Sequence, residues 1–430
     1  MPRSAADRSL ASVLVLSVLA LSRAPAARAG DFARQVLGQR DKDAKEQKAV
    51  RGRKGGITAE DALSLIRRER CDSTVSLVAG MYFEQGTHEI GKTAAVVRAL
   101  AARRGFSAKA VVMAAWSPFV HQIVRDLLAT DSTANHGLAA AIVATYAHAL
   151  AQGNIGADAV APEDARGRQP AGHGRVPIVR MDLEPLITRL LADPSQDVQE
   201  LAVLAAAYER LEAVRERVVR LRLSGAPGLA GARVLYHGAV GDELPEELTR
   251  KVLAVRVRVP RRFTKLTPLL HSYDIRGHAL IYGCQAVAAA ADERFLDPMH
   301  KLLDHPDLRV QMEAARAIEA IGSSRSVPVL LRKLEGGETE RPPWPVLVRV
   351  LSAIGAIPAR ESVPALFGLL KAGRGRFRQD AAYALLSIVP PMAEALQFKW
   401  DAWWEEHGED FEVDPEATKR FRESKRLQDM

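Results

Sequence analysis

An apolar pattern that recurs at intervals of thirty-three residues constrains the fold of this chain most strongly. Its central copy begins at Leu302-Leu303, passes through a turn at 304–307, and continues as a helical pattern that closes at Ile321-Gly322. Within that helical pattern, apolar residues recur at three- and four-residue spacing, which places them on one side of a helix. They are Val310, Ala314, Ala317, Ile318 and Ile321. That side of the helix has to be buried.

The same pattern appears one step upstream and one step downstream. Leu269-Leu270 and Asp274-Ile275-Arg276 match the central copy upstream, and Ile354-Gly355 matches its end downstream. Two short helices per unit, repeated at this spacing, are typical of an α-solenoid, in which each unit covers its neighbour's apolar face. The sequence therefore predicts an all-α superhelix of helix pairs. In the central turn, we expect Pro306 to end the first helix and Asp307 to cap the second.

The central copy also has a recognisable order of residue types, at Leu302-Leu303, Asp307, Leu308-Arg309, Ala314-Ala315 and Ile321-Gly322. This order resembles the HEAT repeat, specifically the short HEAT-like kind associated with phycobilisome lyases. The resemblance covers roughly residues 264–390 and implies a HEAT/armadillo-like α-solenoid. It also implies that Arg276 and Arg309 bond to the turn carboxylates of neighbouring units.

A Trp-x-x-Trp-Trp segment at 400–404 follows the repeats. It is similar to the ends of exported HEAT proteins of some environmental bacteria. Because the end of a solenoid needs a cap over its last apolar face, we expect these tryptophans to form a buried cap. Stacking on a sugar or on a partner peptide is the alternative.

The first twenty-nine residues have the three parts of an export signal. Arg3 and Arg8 supply a positive start, an apolar run extends from 10 to 21, and Ala27-Arg28-Ala29 is a small-x-small cleavage site. The run is too short to span a bilayer. We therefore expect a periplasmic or secreted protein with no transmembrane anchor after cleavage. An uncleaved anchor or a chance apolar N-terminus is the alternative.

Composition narrows the class of protein only modestly. Hydrophobic residues make up 47% of the chain and aromatic residues 5%, which fits helices packed through Ala, Leu and Val rather than a β-sandwich. The formal net charge of +8 falls to about +5 without the signal segment, too little to argue for nucleic acid. Cys71 and Cys284 either pair, as an exported setting allows, or remain separate thiols, which their positions in an extended array favour.

Shifts in composition divide the chain into six segments. We expect a signal peptide at 1–29, a flexible basic leader at 30–57, an N-terminal helical repeat region at 58–152, a linker at 153–180, the HEAT-like array at 181–390, and a Trp-rich capping helix and tail at 391–430.

Three local predictions refine this division. Thr58 is expected to cap the first helix of the repeat region. Asp197-Val198 is interpreted as the start of a degenerate repeat helix, with Gln199 in the place of the arginine. The alternation at 252–259 indicates either a strand or the end of a helix, and the surrounding repeats favour the helix.

One segment matches the phosphate-binding loop letter for letter, with Gly86, Gly91, Lys92 and Thr93 at the defining positions. In such a loop, backbone N–H groups cradle phosphates, the lysine reaches the outer phosphates, and the threonine holds magnesium. The context argues against this function, because 82–85 is not a clean buried strand and a glutamate lies inside the loop. The sequence favours a turn between two helices and no nucleotide cofactor.

No other motif points to catalysis or to a metal. The histidine pairs 271/278 and 300/305 lack the i, i+4 spacing that places two imidazoles on one helical face. Basic clusters at 256–265 and 374–378 are interpreted as solvated helix ends rather than as a stripe for an anionic polymer, because no aromatic residues interleave. The sequence therefore predicts no metal site and no enzyme.

Stacked helix pairs offer a long surface with little chemistry built in. We therefore expect a non-catalytic scaffold that binds a protein partner along the face formed by the second helices. Polar positions beside the buried stripe, namely Gln311, Glu313 and Arg316, are the candidate contacts. Two other classes stay open: an enzyme, either nucleotide-dependent through Lys92 or a lyase, and a binder of nucleic acid or acidic polysaccharide.

Overall fold

The computed structural model of the chain is helical in every regular element that it describes, and no strand occurs among those residues. The prediction of an all-α fold of stacked helices is therefore confirmed. The model describes 58–68, 92–103, 107–117, 119–151, 180–223, 225–256, 275–335, 342–372, 375–389 and 400–429, together with Val75, Val78, Ala79, Tyr82 and Phe83. The predicted signal peptide, the basic leader, most of the linker and Cys71 lie outside the described residues.

The chain folds as two compact units, and the main division between them lies between Tyr236 and His237. In the first unit the described helices are α1 (Ala59–Arg68), α2 (Lys92–Ala101), α3 (Ser107–Ala115), α4 (Val120–Leu128), α5 (Thr133–Ala151), α6 (Leu183–Leu191), α7 (Gln196–Tyr208) and α8 (Arg215–Arg220). Helix α9 (Pro227–Ala239) contains the division.

Helix α5 forms the centre of the first unit. It packs against α3, α4, α6 and α7, and it is buried on all sides from Leu138 to Ala149. A helix that is apolar all round belongs inside a core rather than at a surface. At the start of the unit, the Thr58 hydroxyl accepts a hydrogen bond from the Asp61 N–H at 3.1 Å, so the predicted cap is confirmed.

The second unit continues the array of helix pairs. Its described helices after α9 are α10 (Glu246–Leu253), α11 (Ile275–Ala290), α12 (Leu296–Leu302), α13 (Leu308–Ile321), α14 (Val327–Glu335), α15 (Trp344–Ala356), α16 (Ser362–Ala372), α17 (Gly375–Ile388), α18 (Trp400–His407) and α19 (Pro415–Asp429).

Even- and odd-numbered helices from α12 to α17 form two layers. The first helices of each pair, α12, α14 and α16, pack against the second helices α13, α15 and α17 that follow them. The second helices also pack against one another in order, α13 on α15 and α15 on α17. Each pair therefore covers the apolar face of the next, which is the arrangement that a solenoid requires.

The turn between α12 and α13 has the local chemistry that the sequence predicts. The Asp307 side chain accepts a hydrogen bond from the Arg309 N–H at 3.0 Å and caps α13, while α12 ends at Leu302 before Pro306. At the other end of α13, Gly322 adopts a left-handed conformation with φ of 69°. Glycine adopts this conformation at no steric cost, so the helix stops there.

The downstream copy does not end in the same way. Helix α15 continues through Gly355 to Ala356, so Gly355, which the spacing aligns with Gly322, lies inside its helix. Gly355 lies instead against α17, where an added Cβ would come within 2.9 Å of the Ala384 Cα atom. Its role is to allow two second helices to approach closely.

The register assigned to the degenerate unit is also wrong, by two residues. Helix α7 begins after Ser195, four residues before Gln199, just as α13 begins after Asp307, four residues before Gln311. The Gln199 Nε2 atom donates to the Asp193 carbonyl at 2.7 Å, and the Gln311 Nε2 atom donates to a turn carbonyl at 2.6 Å. Gln199 is therefore the counterpart of Gln311 and not of the arginine.

The ambiguous segment at 252–259 begins as a helix. Helix α10 ends at Leu253, as the surrounding repeats predict, and Val255 and Arg256 follow it outside the helix. The rest of the alternating stretch lies outside the described residues.

The first prediction concerns the packed stripe of α13. Ile318 is fully buried, so Ile318→Ala is expected to lower the free energy of unfolding by about 2–5 kcal/mol through the cavity that it opens. Urea unfolding followed by far-ultraviolet circular dichroism measures the change. Ala320→Gln, at an exposed position of the same helix, is the control and should stay within about 0.5 kcal/mol of the parent, since both residues favour a helix.

The second prediction uses two helical glycines of different environment. Gly355→Ala is expected to destabilise the protein by about 1–3 kcal/mol, because its methyl group would overlap with Ala384. Gly368→Ala, on exposed α16 surface with no atom within 4 Å of the new Cβ, is expected to stabilise it by about 0.5–1 kcal/mol. Equal thermal midpoints for the two variants would contradict the close approach of α15 and α17.

Candidate functional site

The second helices of the second unit carry a row of polar side chains beside their buried apolar stripe. We call this row, Glu313, Arg316, Glu319, Ser352 and Tyr383, the second-helix surface. Its members come from α13, α15 and α17, which pack in sequence, so one continuous surface collects side chains from three repeats. This is the place where the sequence predicts contact with a partner.

The three predicted contact residues have different environments. The Gln311 side chain is committed to the carbonyl of His305 in the turn before α13. The Glu313 side chain is only 13% exposed, whereas Arg316, which lies 3.9 Å from it, is 57% exposed. Arg316 is therefore the residue of the three that is open to an incoming molecule, and contact with a partner stays a prediction for all of them.

Glu313 is a carboxylate held in a largely buried position. Burial raises the pKa of Glu313, while the charges of Arg316 and Arg349 and a hydrogen bond with Gln285 act in the opposite direction. The same site raises the pKa of the neighbouring Cys284 thiol, through burial first and the Glu313 charge second. Cys284 is a buried free thiol, which makes it a small hydrophobic residue rather than a nucleophile.

Glu319 forms the most complete polar contact on the second-helix surface. One carboxylate oxygen accepts a hydrogen bond from the Ser352 hydroxyl at 3.1 Å, and the other accepts from the Arg422 guanidinium of α19. The same guanidinium donates to the Ser352 carbonyl at 3.3 Å. Next to this group, the Phe421 and Tyr383 rings lie 5.9 Å apart. The C-terminal helix thus rests on the second-helix surface, a contact that the sequence analysis did not identify.

Arg309 has a different role from the one that the family resemblance implies. Its guanidinium donates to both oxygens of Asp307, at 3.1 and 2.6 Å, and Asp307 belongs to the turn of the same unit. The expectation of a bond to a neighbouring unit's carboxylate is therefore wrong for Arg309. The bidentate Asp307–Arg309 pair fixes the turn that starts α13, because the Asp307 carboxylate also caps that helix. The side chain of Arg276 lies outside the described residues.

A second buried carboxylate lies in the first unit. Glu200 on α7 is 5% exposed, and its Oε1 atom has no hydrogen-bond partner among the described residues. Its carboxyl group lies directly against Gly228 near the start of α9, where a Cβ would overlap with it. Burial raises the pKa of Glu200 to about 8, and the nearby charge of Asp197 adds to the shift. The sequence gives no signal of this residue, because it lies with Gln196, Asp197 and Gln199 in the polar first part of α7, where a carboxylate is ordinarily solvated.

The phosphate-binding-loop match is only partly described, because Gly86 and Gly91 lie outside the described residues. Lys92 begins α2, and its Nζ atom lies 3.1 Å from the Glu60 carboxylate of α1. The Thr93 hydroxyl is buried and hydrogen-bonded to the Tyr82 hydroxyl at 2.8 Å. Tyr82 itself is helical, whereas a true loop of this kind follows a strand. The Lys92 and Thr93 side chains, which would contact phosphate and magnesium in a true loop, instead contact Glu60 and Tyr82 of this chain.

The remaining candidate groups do not form a chemical site in the described part of the chain. His300 is hydrogen-bonded to Ser326, just before α14, at 2.9 Å, and His305 accepts from the Asp307 N–H in its own turn at 3.0 Å, so both histidines make structural contacts. Among the described residues, no group of three His, Cys, Asp or Glu side chains has an arrangement that could hold a metal ion. Arg256 and Arg378 are exposed, and the rest of the two basic clusters is not described in side-chain detail.

The tryptophan segment forms α18 at the end of the array. Trp403 is buried, and its ring lies 5.5 Å from Phe411, while the Trp404 ring lies 6.0 Å from Phe367 on α16. The carbonyl of Gly408, which follows α18, accepts a hydrogen bond from the Arg360 guanidinium. These aromatic contacts cover the apolar side of the last helix pair, so the two rings are committed to packing.

Among the described helices, none combines the length and the apolar character of a membrane span.

The segment that matches a known protein family lies within the array of helix pairs. Residues 265–341 match the family model for HEAT repeats, and this segment contains α11 to α14. No curated protein matches the chain. Among solved structures, the chain is similar to the crystal structure of an engineered protein, with 17% sequence identity and a TM-score of 0.33 over 87% of this chain and 98% of that one. The chain therefore contains HEAT-like repeats.

The third prediction concerns pH and Glu200. Because the folded pKa of about 8 lies above the ordinary value of 4.5, the protonated carboxyl favours the folded chain at low pH, and this contribution is lost as pH rises to about 8. Glu200→Gln removes the ionisation. Its free energy of unfolding, relative to the parent, is therefore expected to increase by roughly 2–4 kcal/mol between pH 5 and pH 9.

Urea unfolding at several pH values tests this expectation. Glu216→Gln, on the exposed helix α8, is the matched control and should show no such increase. A difference for Glu200→Gln that is independent of pH would show that the carboxyl is charged in the folded chain.

Proposed function

We propose that this protein is a non-catalytic scaffold of short, lyase-type HEAT-like repeats that binds a protein partner outside the cytoplasm. The observation that carries the proposal is the second-helix surface, where three successive repeats present polar side chains on one continuous face. HEAT-like repeats at 265–341 support it, because stacked repeats expose an extended surface suited to another macromolecule. A protein partner is the class that a mixed surface of carboxylates, arginines and an aromatic ring fits best.

The charges of the surface support a protein rather than an anionic polymer. Glu313 and Glu319 lie on the same helix as Arg316, so acidic and basic groups alternate along α13. A polyanion binds through a stripe of one sign and would be repelled by these carboxylates. An alternating pattern instead selects a partner by complementary charges placed at fixed positions.

Export is the second part of the proposal. It is supported by the positive start at Arg3 and Arg8, the apolar run at 10–21 and the small-x-small site at Ala27-Arg28-Ala29. The expected mature N-terminus is Gly30. Mass spectrometry of the protein purified from each cell fraction measures it, and an intact N-terminus on a protein confined to the cytoplasm would contradict export.

A nucleotide-dependent enzyme is the rival class, and the contacts of Lys92 and Thr93 weigh against it. Lysine in a phosphate-binding loop has to be available to the outer phosphates. Here Lys92 is paired with Glu60, and Thr93 is buried beside Tyr82. Isothermal titration of the protein with magnesium and ATP separates the classes, since saturable binding that is lost in Lys92→Ala would favour the enzyme.

The fourth prediction tests the partner. A photo-crosslinking amino acid at Arg316, which is exposed on the second-helix surface, is expected to capture a discrete protein in the cells that produce this chain. The matched control carries the same group at Pro328, which is exposed on the first helix α14. The control position is expected to capture nothing.

Three outcomes are informative. Capture at Arg316 alone supports a partner on the second-helix surface. Capture at Pro328 alone would place the partner on the first helices and contradict this choice of face. Absence of a protein adduct at both positions, with the chain folded and exported, would contradict the scaffold.

A further inference from the structure

Helix α19 lies across all three second helices of the second-helix surface. Arg422 joins the Glu319 carboxylate on α13 to the Ser352 carbonyl on α15, and Phe421 packs beside Tyr383 on α17. The side chains of Glu319 and Arg422 are 15% and 17% exposed, so the pair is largely withdrawn from water. The surface that is proposed to bind a partner is thus already covered, in part, by the protein's own C-terminus.

The contact of 415–424 of α19 with this surface follows one side of the helix. On the described part of the helix, the residues that face the surface are spaced as one stripe, Ala417, Thr418, Phe421 and Arg422. Within 415–424, where side chains are described, the other positions are exposed and Thr418 is the residue that is fully buried. Between 415 and 424 one side chain of α19 is buried, whereas α13 buries seven, so this part of α19 can leave with a smaller loss of buried side chains than a helix of the array.

Helices α18 and α19 pack on different layers of the array. The Trp404 ring of α18 lies 6.0 Å from Phe367 on the first helix α16, whereas α19 packs on the second helices α17 and α15. Helix α19 starts after α18, with Asp414 as its N-terminal cap through hydrogen bonds from the Glu416 and Ala417 N–H groups. It has its own start signal and rests on a polar face, which differs from the way in which a terminal repeat covers an apolar one.

The Glu319–Arg422 pair and the Tyr383 ring indicate which kind of segment this surface can bind. Glu319 offers a carboxylate held in place by Ser352, which suits a guanidinium, and Tyr383 offers a ring 37% exposed, which suits a second aromatic ring. Lys419, Arg420 and Arg422 give α19 a local excess of positive charge over Glu416 and Glu423. A basic helix with an aromatic residue next to an arginine therefore complements the surface.

We propose that the second-helix surface is a docking groove for a basic amphipathic helix that presents an aromatic–arginine pair, and that α19 is its reversible occupant in cis. The partner's helix replaces α19, so the C-terminus limits access until a partner of this chemistry arrives. This inference rests on the proposed function, because it names the class of segment that the scaffold binds.

The test uses the full chain and a synthetic labelled peptide of residues 411–430. In Phe421→Ala/Arg422→Glu, the two side chains that hold α19 are removed, so the groove is expected to become free. Fluorescence anisotropy should show the peptide binding to this variant at least tenfold more tightly than to the parent chain, whose groove is occupied. A peptide carrying the same two substitutions should not bind to either chain.

A charge reversal checks that the site is the one described. Adding Glu319→Arg to a released chain that carries Phe421→Ala/Arg422→Ala should abolish binding of the parent peptide, and a peptide with Arg422→Glu should bind to this chain at least tenfold better than to the released chain with Glu319 intact. Hydrogen exchange gives an independent readout, since the amides at 415–424 should exchange faster in Arg422→Glu while those of α15 stay protected.

The outcomes separate this proposal from the proposed function. Equal peptide binding by parent and released chains, or none by the released chain with its helical circular dichroism intact, overturns the docking groove. Crosslinking from Arg316 would still succeed in that case if the scaffold binds a partner elsewhere on the surface. Peptide binding that behaves as expected, without any crosslinked partner, would instead uphold the groove and contradict the scaffold function.

Discussion

The close contact between successive second helices is the constraint on which the rest of the second unit depends. Gly355 allows α15 to approach Ala384 of α17, and Gly238 allows α9 to approach the backbone of α11 at Ala286, where an added Cβ would lie 2.8 Å from the Ala286 carbonyl oxygen. Because these helices touch through backbone, their remaining side chains project at fixed intervals. Glu319 and Ser352 come from the packed pair α13 and α15, where one guanidinium reaches both.

Buried carboxylates occur at several points in the array, and their environments determine what each can do. Burial dominates at Glu200 and Glu313, which raises the pKa of each carboxyl and favours the neutral form. Glu319 is instead satisfied by a hydroxyl and by a guanidinium from a helix a hundred residues away. Removal of the guanidinium leaves a largely buried carboxylate, so α19 can leave without a large cost only where another guanidinium or water reaches Glu319.

Sequence reasoning identifies the repeat because its signals are local. The cap at Asp307, the stop at Gly322 and the stripe that contains Ile318 each depend on neighbours within a few residues. It fails where a residue's role depends on packing between repeats. Gly355 aligns with Gly322 by spacing, but its role is to let two helices approach closely. The contact between Glu319 and Arg422 joins positions that the repeat period does not relate.

The position of α19 connects the stability of the array to its accessibility. A cap that closed the apolar end and also covered the second helices would have to unfold part of the core before any partner could bind. Here the two tasks are divided between adjacent helices, with Trp404 of α18 on the first helix α16 and Phe421 of α19 on the second helix α17. Removal of α19 would expose the Glu319 carboxylate and the Ser352 carbonyl, which water can solvate, together with one face of the Tyr383 ring. Access to the surface is thus separable from the folding of the repeats beneath it.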